Sequence, residues 1–307
     1  MIDPVIHFVY VGGRAFSFIH FLAIYTAWKV QRPQRIYLHC SESPQGEWWL
    51  KAQPLVTINR VAPVREVDGN AVHYPAHQAD VIRLEMLLRH GGIYLDLDVL
   101  SLRALTPFLQ HDFVMGMEAG AGLCNAVIMT RPDAPFLRRW RAAYRDFNGE
   151  QWSRHSVQLP WRLACERPQD IHVADQFAFF HPGHNDPTHP YLWGEQPSLP
   201  ALALRTAKNL ARLAAGLFVP QDAARRAVYT SFHALRPQRW HLQRLRQSYC
   251  LHLWEGLWGE RYLSRVTPDY LAHSDSHFAR VLRDILSPDE IAAMARPGPL
   301  PPIAAAA

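Results

Sequence analysis

Tyr94-Leu95-Asp96-Leu97-Asp98 places two carboxylates one residue apart where a short apolar run ends. In an extended chain, residues i and i+2 point to the same side, so Asp96 and Asp98 can converge on one point. Two like charges that close repel unless a cation lies between them. Carboxylate oxygens suit Mn²⁺ or Mg²⁺, ions that keep positions open for a substrate's phosphates. The alternative is a solvated turn with two surface aspartates. Upstream, Asp80 and Arg83 lie three apart on a helical pattern and share a face. Taken singly, Asp80 reads as a helix N-cap and Arg83 as a surface cation.

These residues need a frame to hold them. Val5 to Tyr10 is a short β-rich run followed by Gly12-Gly13, and residues 16 to 31 read as a helix stopped before Pro33. Arg35 to Cys40 and Val56 to Val61 read as strands, with a helix over Glu47 to Gln53 between them. Residues 79 to 90 form an amphipathic helix with Val81, Leu84 and Leu88 on one stripe and Arg83 and Arg89 off it. Gly91-Gly92 ends that helix, and Ile93-Tyr94-Leu95 is a buried strand. Phe113 to Met117 and Asn125 to Thr130 read as strands, and residues 134 to 147 as a basic helix. Such alternation predicts an α/β protein with a mainly parallel sheet, which binds ligands at the carboxyl ends of its strands.

The string Ala79-Asp80-Val81-Ile82-Arg83-Leu84-Glu85, then Gly91-Gly92-Ile93-Tyr94-Leu95-Asp96-Leu97-Asp98, closely resembles the DXD sugar-binding region of GT-A glycosyltransferases. Capsular-polysaccharide transferases, clostridial glucosylating toxins and α-1,4-glycosyltransferases carry related strings. Ile6 to Gly13 is similar to that family's opening strand, and Tyr249-Cys250-Leu251-His252-Leu253-Trp254-Glu255 to its late His/Ser-x-Trp segment.

The resemblance implies a GT-A fold, a Rossmann-like twisted sheet flanked by helices, with added C-terminal helices. It implies metal-dependent, retaining transfer of a sugar from a nucleotide-diphosphate sugar to a saccharide or glycolipid hydroxyl. A UDP-sugar is the preferred donor and GDP-mannose the alternative. Mn²⁺ (or Mg²⁺) would sit on Asp98, with His252 and Asp96 as further ligands. Tyr10 would stack on the base, the backbone at Gly12 would lie against the nucleotide, and Asp80, Arg83 and Asp96 would hold the sugar. The Trp254 indole N–H would donate to the diphosphate. Glu118 and Asn125, flanking a loop between two strands, would contact the reacting sugar or the acceptor. Bland readings stand beside these: Tyr10 as an interior aromatic, His252 as a buried structural histidine, Glu118 and Asn125 as ordinary loop polarity.

Composition bounds the rest. Of 307 residues, 49% are apolar and 19% charged, which fits a packed globular protein and not a disordered one. The length suits one catalytic domain over 1–265 and a helical extension with a Pro/Ala-rich disordered tail over 266–307. Four scattered cysteines without a CxxC pair argue against zinc or dithiol chemistry. The basic residues are three lysines and 29 arginines, a bias that points to a GC-rich, bacterial genome. No targeting or membrane-spanning segment is read, so a cytoplasmic protein is expected, peripheral at the membrane's inner face at most.

The formal charge of +5 first suggests nucleic acid, but no nucleic-acid module is present and no such partner is expected. Residues 201–250 hold nine basic residues against one acid, Asp222, with Arg205, Lys208 and Arg212 on one helical face. That composition suits an anionic membrane surface or a solvated helix face. A non-catalytic basic protein binding an anionic glycan or nucleic acid is the competing class. A His-rich loop (His181, His184, Asp186, His189) reads as an acceptor-side loop or a second metal site, and His73 and His77 as loop residues.

Overall fold

The computed structural model describes residues 1–118, 121–184, 186, 188–195, 199–200, 203–204, 207, 211 and 236–300. Strand β1 (Val5–Tyr10) leads into helix α1 (Phe18–Gln31), whose Ser17 and His20 form a reciprocal capping box. β2 (Arg35–Cys40), α2 (Glu47–Ala52) and β3 (Thr57–Arg60) follow, then a minimal hairpin of β4 (Glu66–Val67) and β5 (Asn70–Ala71). α3 (Pro75–His90) opens with proline at its first position and closes at Gly91. β6 (Gly92–Leu95), β7 (Val99–Ser101), β8 (Phe113–Glu118) and β9 (Gly122–Thr130) come next. α4 (Pro135–Ala142), α5 (Leu159–Glu166), β10 (His172–Ala174) and, much later, β11 (Cys250–His252) complete the frame.

Seven strands form one sheet in the order β10-β8-β9-β6-β1-β2-β3. Only β9 runs against the others, pairing antiparallel with both β6 and β8. The chain moves outward from β1 through β2 to β3, then returns to the opposite side of β1 as β6. That reversal leaves a crevice between the carboxyl ends of β1 and β6, where open α/β sheets bind ligands. Tyr10 and Gly12 leave β1 there, and Asp96 and Asp98 leave β6 there. The expected mixed α/β fold with a mainly parallel sheet is therefore present.

Two apolar cores flank the sheet. One gathers β1, β2, α1 and α2 with helices 268–273, 277–283 and 288–295, whose Leu271, Phe278, Leu282 and Ile291 are buried in it. The other gathers α3, α4 and α5 around Leu84, Leu87, Phe136 and Trp140. α3 starts earlier than its apolar pattern suggests, so Asp80 is an interior helical residue and not an N-cap, and His77 lies in the helix and not in a loop. Arg83, expected on the exposed face, is buried. Between residues 148 and 180 the sequence reading assigns nothing. There the chain makes a π-helical turn (Arg154–Gln158) whose period differs from the α-helical 3.6, then α5 and β10.

Glycine is required at the end of α3. Gly92 has φ of +97°, and a Cβ there would lie 2.6 Å from the Val5 carbonyl oxygen. Its absence lets β6 dock on β1.

Cys40, Cys124 and Cys250 are buried and Cys165 is exposed. No described helix is long and apolar enough to cross a membrane. Arg205, Lys208, Arg212 and Asp222 lie outside the described residues. Of the basic residues that follow, Arg246 pairs with Asp284 at 2.7 Å, and Arg244 packs over the Trp240 and Phe177 rings. Among the described residues, the His-rich loop does not bring three ligand atoms together as a metal site would. Asp186 accepts from Thr188, His189 meets the Gly183 carbonyl at 2.8 Å, and His184 packs on Trp254.

A chain of neutral rings crosses the strands on the α3 side. The Asn59 amide donates to His39 Nδ1 at 2.8 Å, so the His39 Nε2–H donates to His7 Nδ1 at 2.9 Å. Burial, aided by His90, lowers His7 to about 4, and burial, aided by His7 and His90, lowers His39 to about 3. The unfolded chain binds these protons from about pH 6.5 downward and the folded chain resists them, so stability is complete above that range and is lost as pH falls through it. Lowering pH from about 7.5 to about 4.5 is expected to cost on the order of 2 kcal/mol per ring. Denaturant melts across that range check this: His7→Gln should flatten the acid slope, and an unchanged slope would count against it.

Candidate active site

β6 delivers the acidic pair through a turn. The Asp96 N–H donates to the Ala126 carbonyl of β9 (2.9 Å), and the Val99 N–H donates back to the Asp96 carbonyl (3.0 Å). Asp96 and Asp98 therefore converge because the chain reverses over 96–99, and not because an extended strand alternates. After the turn, β7 pairs antiparallel with β11, which sets His252 opposite Val99. The Leu253 N–H donates to the Asp98 carbonyl (2.9 Å) and the Glu255 N–H to Asp98 Oδ2 (2.7 Å). His252 Nε2 lies 3.2 Å from Asp98 Oδ1.

Asp96, Asp98 and His252 each offer a ligand atom within 4.8 Å of the others, the one such group found among the described residues. Burial works against the Asp98 charge, but His252 and the Glu255 N–H outweigh it and hold the carboxyl well below its usual range. Burial likewise disfavours the His252 cation, and Asp98 overrides it, so the imidazole is raised. His252 Nδ1 is buried with no hydrogen-bond partner. An ionised carboxylate, a second carboxylate and an imidazole form a donor set that fits Mn²⁺ or a similar cation.

Behind this group lies a buried ion network. The Arg83 guanidinium stands 3.1 Å from Asp80 Oδ1 and 3.2 Å from Asp96 Oδ1, over the Tyr94 ring at 4.4 Å. It also donates to the Asn125 carbonyl (2.8 Å) and to the Ala79 carbonyl (3.2 Å). The Asn125 side-chain amide donates to Asp80 Oδ1 (2.7 Å), and the Tyr94 hydroxyl to Asp96 Oδ1 (2.5 Å). Burial raises the Asp80 carboxyl despite Arg83 and Asn125. Asp80, Arg83, Asp96 and Asn125 are thus brought together. Tyr94 belongs with them, and its position two residues before Asp96 was the available signal. Glu118 sits across the β8–β9 hairpin, buried and raised by that burial, with His252 opposing the shift.

The residues expected at the nucleotide divide differently. A cavity of about 830 Å³ opens beyond the ends of β1 and β2, lined in part by Tyr10, Gly12, Arg14, Phe16, Ser41 and Glu42. Tyr10 is a largely buried wall of it, its hydroxyl donating to the Arg14 carbonyl and its ring tilted on Phe16. Gly12 has φ of +86°, and a Cβ there would come within 2.8 Å of Pro75, so glycine is needed for the start of α3 to pack. Trp254 packs on His252 at 3.9 Å, but its indole N–H donates to the Pro182 carbonyl (2.9 Å) and not toward a diphosphate.

A carboxylate pair backed by a buried arginine and joined by a histidine lies at the switch point of an α/β sheet, where such folds place their ligand sites. Residues 23–115 match the family described as glycosyltransferase sugar-binding region containing DXD motif. The chain is a glycosyltransferase carrying that region. It is 27% identical to "Glucan organizing enzyme 1" of Cryptococcus neoformans var. grubii over 94% of this chain and 72% of that protein. "Inositol phosphoceramide mannosyltransferase 3" of Schizosaccharomyces pombe is 39% identical, over 21% of this chain and 18% of its own length. Among solved structures, the chain resembles the PaToxG glycosyltransferase (TM-score 0.43, 15% identity, 81% of this chain and 89% of that one). It also resembles the galactosyltransferase LgtC (TM-score 0.42, 13% identity, 95% and 96%).

The network's stability is testable. Arg83→Met leaves the buried Asp80 and the partly exposed Asp96 without their counter-ion and is expected to cost about 3 kcal/mol. Adding Asp80→Asn removes one of those charges and should restore part of the loss. Thermal melts of the two variants decide this, and equal melting points for Arg83→Met and the wild type would refute the assigned role.

Proposed function

We propose that the protein transfers a sugar from a nucleotide-diphosphate sugar to a saccharide or glycolipid hydroxyl, assisted by a divalent cation held by Asp98, His252 and Asp96. The observation that carries this reading is the convergence of those three side chains within 4.8 Å at the switch point. A bound cation would neutralise the charge that builds on the departing diphosphate. Asp98, kept ionised by its surroundings, is the principal ligand. Arg83 fixes Asp96 and Asp80 in place, so the carboxylates are aimed before the donor arrives.

Tyr10 and the chain around Gly12 form the nucleotide-side wall, and Asp80, Asp96 and Asn125 present oxygens to the sugar. Glu118, buried at the end of β8, would stabilise positive charge at the reacting carbon. Trp254 acts by packing against His252 and not as a diphosphate donor. The product is expected to retain the donor's α configuration.

Donor choice has two arms. The family resemblance of the β1 segment favours a UDP-sugar. The names of two relatives, the Schizosaccharomyces mannosyltransferase and "Mannosyl phosphorylinositol ceramide synthase CSH1" of Saccharomyces cerevisiae, favour a mannosyl donor and a glycolipid acceptor. The latter relative, too, matches only 21% of this chain.

The test is a thermal-shift and nucleotide-release screen of UDP-glucose, UDP-galactose, UDP-N-acetylglucosamine and GDP-mannose, each with and without Mn²⁺. One donor should stabilise the protein in the presence of metal and release its nucleoside diphosphate. Asp98→Asn should lower that turnover by about a hundredfold or more, on the scale of losing an electrostatic contact made at the transition state. Full activity of Asp98→Asn, or release unaffected by chelator, would overturn the metal-assisted reading.

A further inference from the structure

The loop that follows β1 carries an arginine with no assigned role. Arg14 is the one cation among the described residues that line the cavity beyond β1 and β2, where the acid is Glu42. Its backbone is anchored, because the Tyr10 hydroxyl donates to its carbonyl. Its side chain is largely exposed, at 62% of its surface. Gly12 and Gly13 before it have φ of +86° and +64°, and nothing lies within 4 Å of where a Gly13 Cβ would be.

The guanidinium is not pointed at random. Arg14 Nη1 lies 3.0 Å from Glu255 Oε2. The same carboxylate oxygen accepts from His20, whose Nδ1 takes the Ser17 N–H (3.1 Å) and whose Nε2 is therefore the donor at 3.2 Å. The Glu255 backbone N–H is the group that holds Asp98 Oδ2 at 2.7 Å. One residue thus joins the cavity loop to the metal-ligating carboxylate. A nucleotide sugar has its diphosphate between the nucleoside and the sugar, so a donor seated between the cavity and Asp98 must pass this junction.

We propose that Arg14 binds the donor's diphosphate, and that Glu255 is the place-holder that keeps the guanidinium at that position until the donor displaces it. This rests on the cavity being the nucleotide site. The energetics allow the exchange. With Arg14 62% exposed, its pair with Glu255 is worth about 1 kcal/mol, so giving it up costs little. A diphosphate offers more charge and a geometry that matches the guanidinium fork. Once Arg14 leaves, the Glu255 carboxylate keeps its His20 bond and its N–H stays on Asp98.

The experiment is calorimetric titration of the full chain in Mn²⁺ with UDP, GDP, uridine and guanosine. Arg14→Gln should weaken the nucleoside diphosphate that binds by about tenfold or more, the scale of one hydrogen bond between charged groups. It should leave the matching nucleoside unchanged and the melting point near that of the wild type. Arg14→Lys should recover part of the loss. Glu255→Gln, which removes the place-holder, should bind the diphosphate at least as tightly as the wild type. Equal affinity of Arg14→Gln and the wild type would overturn the inference while leaving the donor reading intact. A Glu255→Gln loss as large as that of Arg14→Gln would overturn the place-holder role. A wild type that binds neither diphosphate would overturn the donor reading, and this inference with it.

Discussion

A buried guanidinium governs the catalytic half of this molecule. Arg83 is almost out of contact with solvent, and a cation in that position is costly unless carboxylates surround it. Asp80 on its own helix and Asp96 after β6 meet that need, and the Tyr94 ring closes the remaining face. The arrangement welds α3 to the end of β6 and, through Asn125, to β9. Replacing the group with apolar side chains could hold the same elements together. What the ionic version adds is orientation: each carboxylate has a direction set by a partner at about 3 Å, and Asp96 is held at the crevice.

The crevice itself comes from topology. The chain leaves β1 in one direction and comes back on the other side, which opens a gap at the carboxyl ends of the strands. The glycine needed at residue 92 lets β6 come close enough to β1 for that gap to be narrow. β9, the lone antiparallel strand, has nine residues and no exposed position. It supports β6 from the far side and supplies both Asn125 and the Ala126 carbonyl that receives the Asp96 N–H.

Much of this could be read from the residues. β1 and β2 begin and end where the apolar runs do, and the acidic pair stood out because two carboxylates at a strand end demand an explanation. Period-two alternation does not account for their convergence, because the Val99 N–H turns back to Asp96. Arg83 was misplaced because periodicity sorts charges outward and has no knowledge of an acid thirteen residues further on. The Gly12 requirement was seen, but its cause is Pro75, a contact between segments distant in sequence. Short strands such as β10 and β11 carry too few residues for a pattern, so the pairing that places His252 was invisible until the chain folded. Here the family resemblance supplied what local physics could not.

The β7–β11 pairing has a consequence for assembly. Val99 and His252 are neighbours in space but about 150 residues apart along the chain, and closing so long a loop is slow and entropically expensive. During synthesis both aspartates leave the ribosome well before the histidine that joins them. A partly made chain can have a folded sheet with its carboxylates in place while lacking the strand that supplies the imidazole. The Asp96–Asp98–His252 group is thus completed late, only once the two ends of a long stretch of chain have found each other.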